Sequence, residues 1–184
     1  FMRDSRSGRY RAYRHDPTVS DSLSGDYITA LAPGKSGYVW VGTRSNGLNL
    51  CRIEPWSCDR FDGRSGGTRN LQHYHVTALR RDRAGGLWVA TDGGGLHRAR
   101  TDAAGRVTGF ERWDVERGLL NDGIMAVEQD DDGSLWLSTR HGLSRLDPAT
   151  GRAANPVPPS GLPASHFTTG ASSAAPPSAP SSFS

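Results

Sequence analysis

Short apolar runs alternate with Gly- and Asp-rich turns along most of the chain, and one pattern of runs occurs three times. In its second copy, an apolar run at 76–79 is followed by a turn, a second run at 87–91 and then Gly95-Leu96. Apolar runs of this length between turn residues predict β-strands. The three copies lie 48 residues apart in strict register, as shown by Trp40, Trp88 and Trp136.

Each copy predicts four short strands, and a repeat of this length is typical of β-propeller blades. The predicted fold is therefore all-β, a partial β-propeller of four-stranded antiparallel blades with a 48-residue period. The large ring at the same place in each blade is expected to fill the space between neighbouring blades. The expected blades lie at about 26–62, 74–114 and 122–158.

The segments outside these blades extend the pattern at both ends. Tyr10 and Tyr13 stand 48 residues before Cys58 and Phe61, so the chain is expected to open on the last strand of an earlier blade. A further blade is expected to begin before residue 170. Residues 171–184 are almost entirely Ser, Ala and Pro, which predicts a disordered tail. We expect the chain to be a fragment, and a truncated or frameshifted gene would account for the change at 171.

Residues 76–96, VTALRRDRAGGLWVATDGGGL, resemble the two-component regulator propeller repeat. Residues 10–24 and 161–167 are similar to that family's linker between blades, so the resemblance covers about residues 1–170. The first copy departs from the pattern at Gly34, where the later copies carry Asp82 and Asp130.

The resemblance implies a sensor region of a bacterial receptor, placed outside the cytoplasm and connected through a membrane helix to an output domain. The expected ligand is a small molecule or saccharide. The expected location is the periplasm, as part of an inner-membrane receptor, although no signal or transmembrane segment is visible. The implied output is a hybrid histidine kinase; a diguanylate cyclase, or a stand-alone protein-interaction propeller, is the alternative.

Charge and motifs exclude several other functions. Lys and Arg total 22 against 19 Asp and Glu, and the arginines are scattered among acids, so no nucleic-acid partner is expected. No phosphate loop, nucleophile elbow or zinc-binding helix motif is present, so no enzyme activity and no cofactor are expected. A propeller lyase or hydrolase would need inward-facing carboxylates or histidines on strand one, and runs such as 124–127 carry none.

Two clusters could suggest metals, but the simpler reading is favoured for both. The acidic run 130–132 lacks the terminal Glu of a calcium loop, and His73 and His75 have no obvious further ligands. We therefore expect a solvated turn and loop histidines, with no metal site.

Cys51 and Cys58 are expected to face each other across a hairpin whose tip is Glu54-Pro55. Cross-strand neighbours are close enough for a disulfide. The equivalent positions in the next copy are apolar, so two buried thiols fit equally well, and both alternatives stay open.

The candidate ligand-binding residues lie on one face of the predicted disc. Strands one and three of a meander run the same way, so the linkers entering strand one share a face with the turns between strands two and three. Polar residues that differ between copies occupy these turns on a constant scaffold, as binding residues often do. The candidates are Arg44, Asn46, Asp92, Arg140 and His141.

Overall fold

The computed structural model describes residues 2–3, 8–35, 37–62 and 70–156, and the expected tail and further blade lie outside them. Three antiparallel four-stranded sheets confirm the predicted blades and the all-β fold. The first blade comprises β3 (Ile28–Pro33), β4 (Tyr38–Thr43), β5 (Leu48–Arg52) and β6 (Ser57–Phe61). The second comprises β7 (Val76–Arg81), β8 (Leu87–Thr91), β9 (Gly95–Thr101) and β10 (Val107–Trp113). The third comprises β11 (Ile124–Gln129), β12 (Leu135–Thr139), β13 (Gly142–Leu146) and β14 (Ala153–Ala154).

The start of the chain supplies two strands of an earlier blade, where the sequence predicted one. β1 (Met2–Arg3) pairs with β2 (Tyr10–Arg11), and Arg3 lies opposite Tyr10. This is the register of the outer hairpin of the first blade, where Cys51 lies opposite Cys58. Helical structure in the described ranges is limited to one 3-10 turn, Val115–Arg117. No helix there is long and apolar enough to span a bilayer.

A β-bulge recurs at the second residue of strand one in all three blades, at Thr29, Thr77 and Met125. A bulge re-aims the side chain of its extra residue. Here the hydroxyl of Thr29 donates to the carbonyl of Val76 in the next blade, and Thr77 donates likewise to Ile124, both at 2.6 Å. The inner strands of successive blades are thereby joined at equivalent points.

The hydrophobic core lies between sheets, as expected for blades whose neighbours cover each other's faces. The second and third blades enclose a cluster around Trp88 and Trp113, whose ring centroids lie 5.1 Å apart. The first and second blades enclose a cluster around Trp40 and Phe61. Close packing at this boundary restricts residue size: a Cβ on Gly42 would approach Cγ1 of Val76 to 2.5 Å.

A buried disulfide links Cys51 and Cys58 across the outer hairpin of the first blade. Both residues also belong to an apolar cluster with Leu23 and Val41. The sequence left a disulfide and two buried thiols open, and the structure contains the disulfide at a site that is apolar as well.

Each blade tryptophan lies beside the turn that precedes it, and two of them are held by an aspartate there. The indole N–H of Trp88 donates to Asp82 at 2.9 Å, and that of Trp136 donates to Asp130 at 3.1 Å. Asp82 also accepts a hydrogen bond from the backbone N–H of Gly86, which closes the turn. Asp82 therefore both accepts from the buried indole N–H of Trp88 and fixes the shape of the hairpin. The first blade has Gly34 at this position.

The second residue after the strand-three glycine is buried and polar in every blade. In the first blade Asn49 accepts a hydrogen bond from the backbone N–H of Ser24, at 2.9 Å. In the third, Ser144 accepts one from Leu120 at 3.0 Å. His97 occupies the position in the second blade and is 1% exposed, and among the described residues neither of its ring nitrogens has a hydrogen-bond partner of good geometry. Burial, with Arg112 nearby, lowers the pKa of His97 to about 4.

We predict that Trp88→Ala lowers the free energy of unfolding by ~3–5 kcal/mol, because it removes a fully buried ring from between two blades. Trp136→Ala serves as the control, since Trp136 is only partly buried, and should cost less than half as much. Urea unfolding followed by circular dichroism measures both, and equal losses would contradict the assigned core role of Trp88.

Acidification should destabilise the protein through His97. Its neutral form is favoured in the folded state, whereas the unfolded imidazole takes up a proton below about pH 6.5. Stability is therefore lost as the pH falls from about 6.5 to about 4, by up to about 3 kcal/mol. His97→Asn, which copies the first blade, should flatten this part of the profile. The exposed His141→Asn should leave it unchanged, and a His97→Asn profile parallel to the wild type would refute the assignment.

Candidate functional site

The turns between strands two and three lie beside the linkers that enter the next blade, and together they form a face that we call the rim. The backbone N–H of Gly47 donates to the carbonyl of Tyr74, and Gly95 donates to Asp122, both at 2.8 Å. Gly47 and Gly95 have φ of +76° and +80°, and a Cβ on either would collide with the backbone of strand four. Glycine is needed here because both the dihedral and the space exclude a side chain.

An ion pair across two blades lies at the centre of the rim. Arg140 donates from Nε and Nη2 to the two carboxylate oxygens of Asp92, at 2.8 and 2.6 Å. The hydrogen bond from Arg140 holds the pKa of Asp92 below its usual value. The sequence placed these two candidates on one face, and the structure shows that they bind each other. A ligand that engages either residue must therefore compete with this pair or contact its outer edge.

Two histidines of the linker into the second blade flank the pair. Nδ1 of His75 lies 3.4 Å from a carboxylate oxygen of Asp92. His73 stacks on Tyr74 with ring centroids 4.8 Å apart, and burial lowers the pKa of His73. A Cβ on Gly94 would collide with His73, so the glycine-rich turn 92–95 makes room for this imidazole. The turn joins two strands, as the sequence predicted.

The remaining candidates are spread along the rim and do not join this cluster. The guanidinium of Arg44 lies over the ring of Tyr27, 5.2 Å from its centroid. Asn46 donates its backbone N–H to the hydroxyl of Thr43, and its side chain lies against Gly25. His141 contacts the side-chain amide of Asn121 at 3.0 Å.

Two exposed aromatic residues of the rim were missed from the sequence. Tyr27 is 65% and Tyr74 is 43% exposed, and they lie one and two residues before strand one of their blades. The available signal in the sequence was their spacing of 47 residues, one residue short of the 48-residue repeat. An exposed tyrosine offers an apolar ring with a polar hydroxyl, which suits polar ligands with flat apolar faces.

The arrangement is suited to binding. Within the described ranges no group of three or more His, Cys, Asp or Glu residues could hold a metal ion. The acidic turn uses its carboxylates internally: Asp130 accepts from Trp136, and Asp132 accepts from Ser134 and Arg145. The rim presents cations, amides, imidazoles and phenols over a rigid backbone.

Comparison with known proteins identifies the repeats. Residues 22–45, 70–93 and 118–141 match the family described as two component regulator propeller. The chain is similar to the extracellular domain of a proposed hybrid two component system from B. thetaiotaomicron, at 21% identity and a TM-score of 0.70 over 86% of this chain. It is also similar to YCF48 from Cyanidioschyzon merolae, at 18% identity and a TM-score of 0.52 over 76%.

The three matches confirm the predicted resemblance to this repeat family, and the two structural likenesses confirm the propeller fold. The chain spans 20% of the first of those structures and 42% of the second. No curated protein matches the chain significantly.

We predict that Asp92 and Arg140 are coupled by about 1 kcal/mol in a double-mutant cycle of Asp92→Asn and Arg140→Gln, a value limited by the exposed guanidinium. The coupling should shrink in 1 M salt. It should also vanish as the pH falls through the lowered pKa of Asp92, because the paired carboxylate is then protonated. Urea unfolding of the four proteins measures it. The more exposed pair Asp102–Arg106 is the control, and equal coupling there would contradict a special role for the rim pair.

Proposed function

The chain carries three repeats of the two component regulator propeller family, and on that premise we propose that it binds a ligand as part of a bacterial receptor's sensor outside the cytoplasm. The output domain of the parent protein would be a hybrid histidine kinase, with a diguanylate cyclase as the alternative. In this proposal the propeller itself catalyses no reaction and passes on the presence of a ligand. A periplasmic location follows from the same proposal.

The observation that carries the proposal is a variable rim on a constant scaffold. In each blade the last threonine of strand two donates its hydroxyl to the glycine carbonyl across the turn, at 2.8, 2.8 and 2.9 Å. The residue that follows this threonine is Arg44 in the first blade, Asp92 in the second and Arg140 in the third, so the charge at this position reverses between neighbouring blades. Turns held rigidly while their side chains vary are typical of ligand-binding faces.

The chemistry of the rim favours a neutral saccharide as the ligand. Tyr27 and Tyr74 present exposed rings, and amides, imidazoles and the edge of the Asp92–Arg140 pair supply donors and acceptors around them. A sugar ring combines a flat apolar face with hydroxyls at its edge, and therefore matches this combination. The ion pair balances its own charges, so a strongly charged ligand gains little there.

We predict that members of a panel of neutral mono- and disaccharides perturb amide signals of the rim in ¹⁵N NMR spectra of the full chain. Tyr27→Ala and Tyr74→Ala should each weaken the binding of such a sugar about tenfold, equivalent to about 1.4 kcal/mol. Tyr10→Ala is the matched control, since Tyr10 is equally exposed but lies on β2, away from the rim. Absence of any rim perturbation, or equal weakening by Tyr10→Ala, would refute the proposed ligand class.

The coding sequence that follows residue 184 would distinguish a receptor sensor from the alternative, a stand-alone protein-interaction propeller. A membrane helix and a kinase or cyclase domain there would support the receptor. A stop codon directly after a closed ring would favour the interaction module.

A further inference from the structure

A cleft of about 420 Å³ lies between the first and second blades. Its walls include Lys35 and Tyr38, Gly85 and Gly86 from the turns after strand one, and the tip of the second blade's outer hairpin at 104–106. These turns lie at the opposite end of strand one from the rim. The volume falls within the range of small-molecule sites, and the cleft is unrelated to the residues of the proposed sensing function.

The first blade lacks the carboxylate that accepts from the blade tryptophan in the other two blades. In the second blade the carboxylate of Asp82 accepts from the indole N–H of Trp88. Gly34 replaces this aspartate, and a Cβ there would lie 2.8–2.9 Å from atoms of Tyr38, so the turn itself excludes a side chain. Trp40 lines the cleft, and its indole N–H makes no hydrogen bond to any residue that the structure describes. This N–H is not sealed from solvent, so it can donate to an acceptor that enters the cleft.

The same cleft carries cations that no carboxylate neutralises. Lys35, the single lysine of the chain, reaches across the cleft to Gly105 and forms no ion pair with the described residues. Arg81 donates only to backbone carbonyls, those of Pro33 and Gly34 in the first blade and that of Gly85 in its own turn.

The other charges of the cleft leave this excess in place. Arg106 is paired with Asp102 at 3.2 Å. One carboxylate, that of Asp59, stands on the lining. Because Lys35 and Arg81 exceed this single acid, the cleft has a net positive charge.

We propose that this cleft binds a small organic carboxylate, which supplies in the first blade the acceptor that Asp82 and Asp130 supply in the others. The carboxylate would accept from the indole N–H of Trp40 and lie near Lys35 and Arg81. The apolar body of the ligand would pack on the aromatic and aliphatic side of the cleft, formed by Trp40, Leu50, Phe61, Leu87 and Val107. Hydrogen bonds to an ionised acceptor are stronger than neutral ones, so the charge of the ligand selects for acids over amides.

The probes are phenylacetate and its neutral isostere phenylacetamide, added to the full chain. The chain has five tryptophans and therefore five indole N–H signals. The signal of Trp40, assigned with Trp40→Phe, should shift saturably with phenylacetate. The signals of Trp88 and Trp136 should stay in place, because aspartates already hold them. Phenylacetamide should leave all five unchanged.

Lys35 provides a second and independent readout. Reductive ¹³C-methylation labels only this side chain and the terminal amine, and it keeps the positive charge. The methyl signal of Lys35 should shift with the same dissociation constant as the indole of Trp40. Agreement between two separate groups that line the cleft locates the ligand inside it.

Lys35→Gln should weaken phenylacetate binding about fivefold, the size expected for one partly solvated charge. Arg44→Gln removes the same charge from the same blade at the rim, and should leave the affinity unchanged. Equal weakening by the two variants, equal binding of phenylacetamide, or shifts of Trp88 and Trp136 together with Trp40 would each overturn the proposal. None of these outcomes bears on saccharide binding at the rim, so the two proposals fail separately.

Discussion

The joint between blades depends on one hydrogen bond, from the bulged threonine of strand one to the main chain of the next blade. Its 2.6 Å length recurs at Thr29 and Thr77, and each bond contributes about 1 kcal/mol. The larger effect of this hydrogen bond is on the position of one blade relative to the next. Because the acceptor is a backbone carbonyl, the bond fixes the height of each inner strand relative to its neighbour. The tryptophan layers can pack only when that height is correct, since blades shifted by one residue would place their apolar faces out of register.

Once the inner strands are fixed, the two ends of the stack serve different purposes. At the rim, glycine turns bond to the next linker and leave the turn side chains free to vary. At the opposite end, Asp82 and Asp130 hold the tryptophans of the second and third blades, and the first blade has Gly34 at this position. Among the described residues of the three blades, the charged pairs that cross from one blade to the next, Arg80–Glu128, Arg83–Asp131 and Asp92–Arg140, use residues one repeat apart. The same spacing that builds the core therefore also aligns the surface charges.

Much of the fold could be predicted from the sequence because the pattern of each strand occurs in three copies. The strands, the blade period and the tryptophan layer were all visible in this way. The candidate site was less predictable, since a repeat is uninformative where copies differ. Asp92 and Arg140 are oppositely charged and stand one repeat apart, but their direct contact also depends on the stagger between two blades, which the sequence does not give. His97 shows the same limit: its burial follows from the position of Asn49, but its lack of partners is a property of the packed structure.

The bonds between bulges all point one way along the chain, from a side chain to a main-chain atom that follows it. A substitution can remove the threonine hydroxyl that donates, but it leaves the backbone carbonyl that accepts in place. The sequence of the preceding blade therefore decides whether each of these hydrogen bonds can form. Met125 stands at the third bulge and has no hydroxyl to give. The hydrogen bond that pins the first two joints therefore cannot form from the third bulge. Any blade that follows the third must be positioned by other contacts, such as apolar packing against the flexible thioether.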